Sequence, residues 1–237
     1  MNAIGGNEDR VSVRGTEKTI SKEREDYLKT VYHLQLEESP VRTTTLARAL
    51  DVEPASVTGV VKRLAELDLL EHRPYRGVVL TPEGERIALE IIRHHRLIEL
   101  YLIEALGYSW DEVHEEAERL EHAVSPLFIE RIAAALGNPE IDPHGAPIPT
   151  RDGQIEPQTG IALSELTAGQ SGTVARVDDD DPVLLRYLAK LQVRPGAQVK
   201  VVDVAPSSGM IRFEVEGERH ALGPEDASHV FIELTPG

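Results

Sequence analysis

His114, Glu118, Glu121 and His122 follow one another at spacings of four, three and one. Side chains three and four apart share a face of a helix. A helix over Trp110 to Val124 would therefore stack two imidazoles and two carboxylates on one ridge. His95 and Glu99 repeat the i, i+4 spacing upstream. Nitrogen and oxygen donors at such spacings suit a divalent metal ion. The plainer alternative for Glu115, Glu116, Glu118 and Glu121 is a solvated acidic face. Paired carboxylates and histidines could also serve a di-metal hydrolase. That chemistry needs an open coordination position and a substrate pocket, and neither a nucleophile motif nor a glycine-rich phosphate loop accompanies them. The chain is therefore read as a non-enzyme. His33, His72, His94, His144, His220 and His229 are read as ordinary surface or core histidines.

The 237 residues suffice for two or three small domains, each with its own core. The chain has no cysteine, which excludes disulfides, zinc-thiolate sites and iron–sulfur clusters. No apolar run approaches the roughly 20 residues that span a bilayer, and residues 1–20 lack an apolar signal region. A cytoplasmic protein without a membrane partner is expected. The net charge is −16, with the excess acid lying behind residue 86. Non-specific affinity for DNA should be poor and strongly salt-dependent.

Residues 1–20 read as a flexible tail, or alternatively as a DNA-grasping arm using Arg10, Arg14 and Lys18. From Ser21, a capping signal precedes an apolar face of Tyr27, Leu28, Val31, Tyr32 and Leu34. Thr43 or Thr44 caps a short helix, and Asp51-Val52-Glu53 forms a turn. Pro54 opens a second helix to Leu67 that buries Val57, Val60, Val61, Leu64 and Leu67. Two strands, Leu69–Arg73 and Gly77–Leu80, flank Pro74-Tyr75-Arg76. Helix, turn, helix and wing in this order point to DNA binding. The candidate contacts are Arg42, Thr43, Thr44, Pro54, Ala55, Ser56, Thr58, Lys62, Arg63 and Arg76. A long helix to about Leu106 follows, then helices from Trp110 to His122 and from Pro126 to Leu136. Their surplus apolar surface points to a homodimer on palindromic operator DNA. Beyond a proline-rich stretch, short valine-rich strands with an inserted helix, Asp181 to Leu191, suggest a small β-barrel. The fold class is α+β. It divides into a tail (1–20), a winged helix-turn-helix (21–84), a helical dimerisation and metal-binding domain (85–152), a linker (153–160) and the barrel (161–237).

Several strings together resemble the diphtheria-toxin-repressor family of metal-dependent transcriptional regulators. They are Tyr27-Leu-Lys-Thr-Val-Tyr, Pro54-Ala-Ser-Val-Thr, Tyr75-Arg-Gly-Val-Val-Leu-Thr, His95-Arg-Leu-Ile-Glu99, the His114-to-His122 run and Asp142-Pro-His-Gly-Ala-Pro-Ile-Pro149. The barrel resembles that family's SH3-like, FeoA-like third domain. The resemblance implies a regulatory metal site of Asp26, Glu118, Glu121 and His122. It implies a second site of His95, Glu99 and His114, to which the barrel can add ligands, here from the acidic run Asp178 to Asp181 with Asp179 and Asp181 as candidates. The iron-responsive branch carries sulfur-bearing side chains at the positions of Asp26 and Glu118. Carboxylates there suit Mn²⁺, with Fe²⁺ or Zn²⁺ as alternatives. Lys29 stands where the manganese branch can use another carboxylate, so two separated sites are expected rather than a two-ion cluster. The implied function is a manganese-responsive regulator, a repressor of metal-uptake genes, with an iron- or zinc-responsive regulator as the alternative.

Overall fold

The computed structural model describes residues 10–13, 16–73 and 76–235, with side chains from residue 20 onward. Pro74 and Tyr75 of the expected wing tip, and Arg14, lie outside the described residues. β1 (Arg10–Val13) and β2 (Thr16–Thr19) pair antiparallel, with Val11 opposite Lys18. This corrects the expectation of a structureless tail for that stretch.

The chain divides into two compact units, and the division falls inside one helix, between His94 and His95. Residues up to His94, with Glu121–Val124 and Pro149–Gln154, form the first unit. It contains α1 (Lys22–Glu37), α2 (Thr43–Ala49), α3 (Pro54–Glu66), β3 (Leu70–Arg73) and β4 (Gly77–Leu80). Tyr27, Leu28 and Val31 of α1, Leu46 of α2, Val57, Val61 and Leu64 of α3, Val78 of β4 and Ile87 make one buried cluster. Burial of such side chains is worth about 1.5–3 kcal/mol each. Asp51 takes φ +50° and turns the chain between α2 and α3, a conformation that Asp tolerates better than most residues. Pro54 occupies the first turn of α3, where its missing N–H costs nothing. Two expected caps differ. Ser21 sits at the start of α1 without a side-chain cap bond, and Arg42, not Thr43 or Thr44, precedes α2. The wing pairs antiparallel, Leu70 opposite Leu80.

α4 (Pro82–Leu106) is the 25-residue helix in which the division lies. The second unit holds His95–Leu120, Ser125–Ile148 and Ile155 onward. Within it are α5 (Val113–Leu120) and α6 (Pro126–Ala135). α5 ends at Leu120, before the expected His122. Glu121 and His122 lie in the following turn and belong to the first unit. The Glu121 carbonyl accepts from His94 Nδ1 at 3.3 Å instead of closing another helical turn. Within this second unit the helices after His95 cluster with the C-terminal sheet.

That sheet is antiparallel with the order β5 (Ile161–Ala162), β10 (Val230–Leu234), β6 (Ser171–Val177), β7 (Gln198–Val204), β8 (Ile211–Val215) and β9 (Glu218–Leu222). It is SH3-like, but among the described residues β5 and β9 remain its edges, so the expected barrel is not closed. Two register shifts, at Phe231/Ile232 and Val201/Asp203, bend it. α7 (Pro182–Lys190) and α8 (Pro224–Ser228) are inserted before β7 and β10. The core under the sheet includes Val174, Leu185, Leu188, Val201, Phe213, Ile232 and Trp110. Among the described residues no helix is long and apolar enough to cross a membrane.

Gly84, in the first turns of α4, packs against the backbone of Leu69. A Cβ there would overlap the Leu69 carbonyl and sit 3.2 Å from Leu80 Cδ2. Helix propensity alone predicts that Gly84→Ala stabilises by about 1 kcal/mol. The packing predicts a net loss of about 1–3 kcal/mol. Urea unfolding of the full chain distinguishes the two, and a raised midpoint would refute the packing argument.

Candidate metal centres

α1 has two working faces. Tyr27, Leu28 and Val31 enter the core, while Glu25, Asp26 and Lys29 point to the turn after α5. His122 Nε2 lies 2.8 Å from Asp26 Oδ1 and 3.1 Å from Glu121 Oε1. Its Nδ1 lies 2.6 Å from Glu25 Oε2. Glu25, Glu121 and His122 are all buried. Asp26, Glu121 and His122 each offer one ligand atom within 4.8 Å of the others. Lys29 Nζ pairs with Glu121 Oε1 at 2.7 Å. The group therefore sets three carboxylates, Glu25, Asp26 and Glu121, beside the Lys29 cation.

The second centre is built by α4, α5 and the end of β6. Glu99, fully buried, is its hub. His95 Nε2 approaches Glu99 Oε1 at 3.0 Å, and His114 Nδ1 approaches the same oxygen at 3.5 Å. Asp179 Oδ2 stands 3.5 Å from His114 Nδ1. His144 Nδ1 faces Glu99 Oε2 at 3.7 Å and Asp179 Oδ2 at 3.9 Å. Glu118 Oε1 lies 3.7 Å from His95 Nδ1 and 4.0 Å from His114 Nε2. The loop carrying His144 is well anchored. Asp142 Oδ1 accepts from His144 N and Ala146 N at 2.8 and 2.9 Å. Trp110 Nε1 donates to Pro143 O at 2.9 Å and its ring stacks on His144. His144 N and O are both engaged, the carbonyl accepting from Val177 N at 2.9 Å. His144 Nε2 lies 3.0 Å from the Trp110 carbonyl. A carbonyl only accepts, so Nε2 is the donor and Nδ1 is the nitrogen left to ligate.

Both groups fit a cation by two tests. Asp26 Oδ1, His122 Nε2, Glu99 Oε2, His114 Nδ1 and His144 Nδ1 are buried without a hydrogen bond. Such orphaned atoms are rare and call for an ion or water. Their close approaches lack hydrogen-bond alignment, as expected of lone pairs aimed at a shared point. The electrostatics agree. Burial lowers the basicity of His122, but Asp26, Glu121 and Glu25 outweigh it and push the imidazole up to about 11. Burial likewise opposes, and Asp179 and Glu99 overcome, in raising His114 to about 11. His144 rises to about 9 against its burial, chiefly through Glu99. Burial would raise Glu99, yet His95, His114 and His144 hold it well below the usual carboxylate range. The carboxylates around His114, His122 and His144 thus favour positive charge at each group.

The expected ligands thus fall as follows. Asp26, Glu121 and His122 converge, and so do His95, Glu99 and His114. Glu118 stands beside His95 and His114 in the second unit. Asp179 joins the second group, whereas Asp181 does not. Asp181 Oδ1 caps α7, accepting from Val183 N and Leu184 N at 2.7 and 3.2 Å. Glu25 and His144 were passed over. Glu25 neighbours Asp26, and no periodicity separated the two. His144 sat in a proline-rich loop without a spacing to other ligands. On α3, Pro54, Ala55, Ser56, Thr58, Lys62 and Arg63 are all exposed, as are Arg42, Thr44 and Arg76, while Thr43 is half-buried. Val60 and Leu67 are also only partly buried.

Three family profiles match in succession. They are the iron-dependent repressor N-terminal DNA-binding domain at residues 19–78, the iron-dependent repressor metal-binding and dimerisation domain at 81–150, and the FeoA domain at 161–234. The iron-dependent repressor IdeR of Mycobacterium tuberculosis is 32% identical over 221 residues, covering 86% of this chain and 94% of its own. The diphtheria toxin repressor of Corynebacterium glutamicum is 28% identical over 93% of this chain and 100% of its own. A solved manganese-dependent transcriptional repressor in complex with manganese superposes with a TM-score of 0.83 at 39% identity, covering 90% and 100% of the two chains. The manganese regulator SloR gives a TM-score of 0.74 at 33% identity, covering 90% and 98%.

Two substitutions separate the centres. Glu25→Ala removes the partner of His122 Nδ1 and should weaken metal binding at the first centre about 10–100-fold, leaving the second intact. Asp179→Ala should lower the number of ions bound per chain by one. Titration calorimetry with Mn²⁺ on the full chain reads both. Unchanged isotherms would dismiss these residues from the centres.

Proposed function

The chain belongs to the iron-dependent repressor family of metal-dependent, DNA-binding transcriptional repressors, and we propose that it is a manganese-responsive repressor of metal-uptake genes. The observation that carries this proposal is the buried convergence of Asp26 with Glu121 and His122. Family membership makes it a regulator rather than an enzyme. Carboxylate and imidazole donors without any sulfur suit Mn²⁺, as does the relationship to manganese-dependent repressors. Fe²⁺ and Zn²⁺ compete for the same donors, and iron-dependent relatives of similar identity keep iron as the alternative.

The regulatory step follows from the two faces of α1. A bound divalent cation supplies positive charge among the three carboxylates of the first centre. Asp26, Glu121 and His122 would hold it, while Glu25 fixes the ring of His122 and Lys29 holds Glu121. Because Asp26 is next to Tyr27 and Leu28, ordering its side chain orders the helix that underlies α2, α3 and the wing. Gln35, further along α1, accepts from Leu80 N at 2.6 Å and ties the same helix to β4. The charge requirement at the turn after α5 thereby sets the orientation of α3. Metal and DNA binding are then coupled, by a typical ~1–3 kcal/mol. We read the acting form as a cytoplasmic homodimer on palindromic operator DNA, with half-sites about 34–36 Å apart. His95, Glu99, His114, Asp179 and His144 form a second, separate ion site.

DNA binding at fixed salt, first with chelator and then with Mn²⁺, Fe²⁺ or Zn²⁺, tests the assignment. Low concentrations of Mn²⁺ are expected to raise operator affinity at least tenfold, and equal binding with chelator would refute it. Asp26→Ala should keep the dimer, seen by light scattering, and lose the metal response. Normal activation of that variant would remove the coupling mechanism.

A further inference from the structure

Gly59 lies in the middle of α3 on its exposed face. Ala55, Ser56, Lys62 and Arg63, four and three residues to either side, share that face and are exposed. Glycine is the poorest helix-interior residue after proline, because it loses the most backbone freedom on folding. Gly84 repays that loss by close packing on Leu69. Gly59 does not. A Cβ at Gly59 would meet nothing within 4 Å, and Gly59 is not among the positive-φ glycines. Nothing among the described residues therefore requires glycine at this position. A bare Cα on a solvent face serves a surface that comes to it from outside the chain, and here that face is the DNA-reading face.

We propose that Gly59 is a specificity-determining residue whose missing side chain leaves a notch that receives a thymine C5 methyl in the major groove. The inference rests on the DNA-binding role of α3 and adds the base it selects. The face around the notch is apolar: the Gly59 Cα is bare and open, and the Ala55 methyl lies about one helical turn away on the same face. The backbone amides around it are spent within the helix and offer no donor. The thymine methyl is the one apolar group displayed in the major groove. Ser56, Lys62 and Arg63 frame the notch with groups suited to neighbouring base edges and phosphates. A chain of net charge −16 gains little from non-specific phosphate attraction, so close apolar fit carries more of its selectivity.

The test uses the full chain with Mn²⁺ and a duplex that the unmodified protein selects from a random-sequence pool. Gly59→Ala should raise the melting midpoint by about 2–4 °C and leave Mn²⁺ binding unchanged. It should weaken affinity for the selected duplex at least tenfold. Each thymine is then replaced in turn by uracil, which removes only the methyl. One position per half-site should weaken binding of the unmodified protein severalfold. At that same position uracil should restore the Gly59→Ala variant to within about twofold of the unmodified protein on the same DNA. Equal affinity of variant and unmodified protein for the thymine duplex would overturn the proposal, and so would a loss that no uracil relieves. Failure of the unmodified protein to select any duplex would instead refute the DNA-binding reading on which the proposal rests.

Discussion

Buried carboxylate in excess of fixed cation is the constraint around which this chain is organised. Removing a carboxylate from water costs several kcal/mol unless opposite charge and hydrogen bonds meet it. Glu25 and Glu121 are buried and Asp26 is partly so, and Lys29 supplies a permanent cation beside Glu121. The imidazole of His122, deep in this field, is driven to carry a proton. A proton answers one charge and a divalent ion two, from the same position. On the proposed mechanism the site is a balance that bound metal would tip, and α1 would transmit it because its opposite face is part of the winged-helix core.

The second centre obeys the same rule with a different supporting structure. Its hub, Glu99, is surrounded by three histidines and approached by Asp179 from the end of β6. Trp110 supports it twice, through its indole N–H to Pro143 and its carbonyl to His144, while its ring lies in the sheet core. A metal site here would join the helical segment and the FeoA-like sheet within one unit, and on that proposal the C-terminal domain would take a structural part in metal binding. Asp142 shows the cost of such crowding. Burial, with Glu99 nearby, raises its carboxyl to about 6 despite Arg96.

α3, the helix we propose reads DNA, works under the opposite condition. Its exposed face is small and sparsely basic on a strongly acidic chain, so electrostatic attraction to the phosphate backbone is weak. Shape then matters more than charge, and the two helical glycines illustrate it. Gly84 lacks a side chain because the protein itself fills the space. Gly59 lacks one although the space is open.

Much of this organisation was legible from local pattern. Pro54 and the Val57, Val61 and Leu64 spacing set α3, two short runs around Pro74-Tyr75-Arg76 marked the wing, and the i, i+4 pair His95 and Glu99 lay on one helix as helical geometry requires. The family resemblance supplied Asp26, which no spacing connects to Glu121. The end of α5 at Leu120 could not be read, because the run to His122 satisfies a helical pattern; only the tertiary demand that Glu121 and His122 reach α1 broke it. Glu25 and His144 became recognisable only when the chain brought them to His122 and Glu99, 97 and 45 positions away respectively. The four aspartates from Asp178 to Asp181 are chemically identical in sequence. Asp179 faces the second centre and Asp181 caps a helix because strand end and helix start point successive side chains in different directions. Sequence determined which elements form and which donor types the chain holds. Tertiary structure decided which donors meet, since a metal centre depends on convergence in space and local periodicity reports only one element at a time.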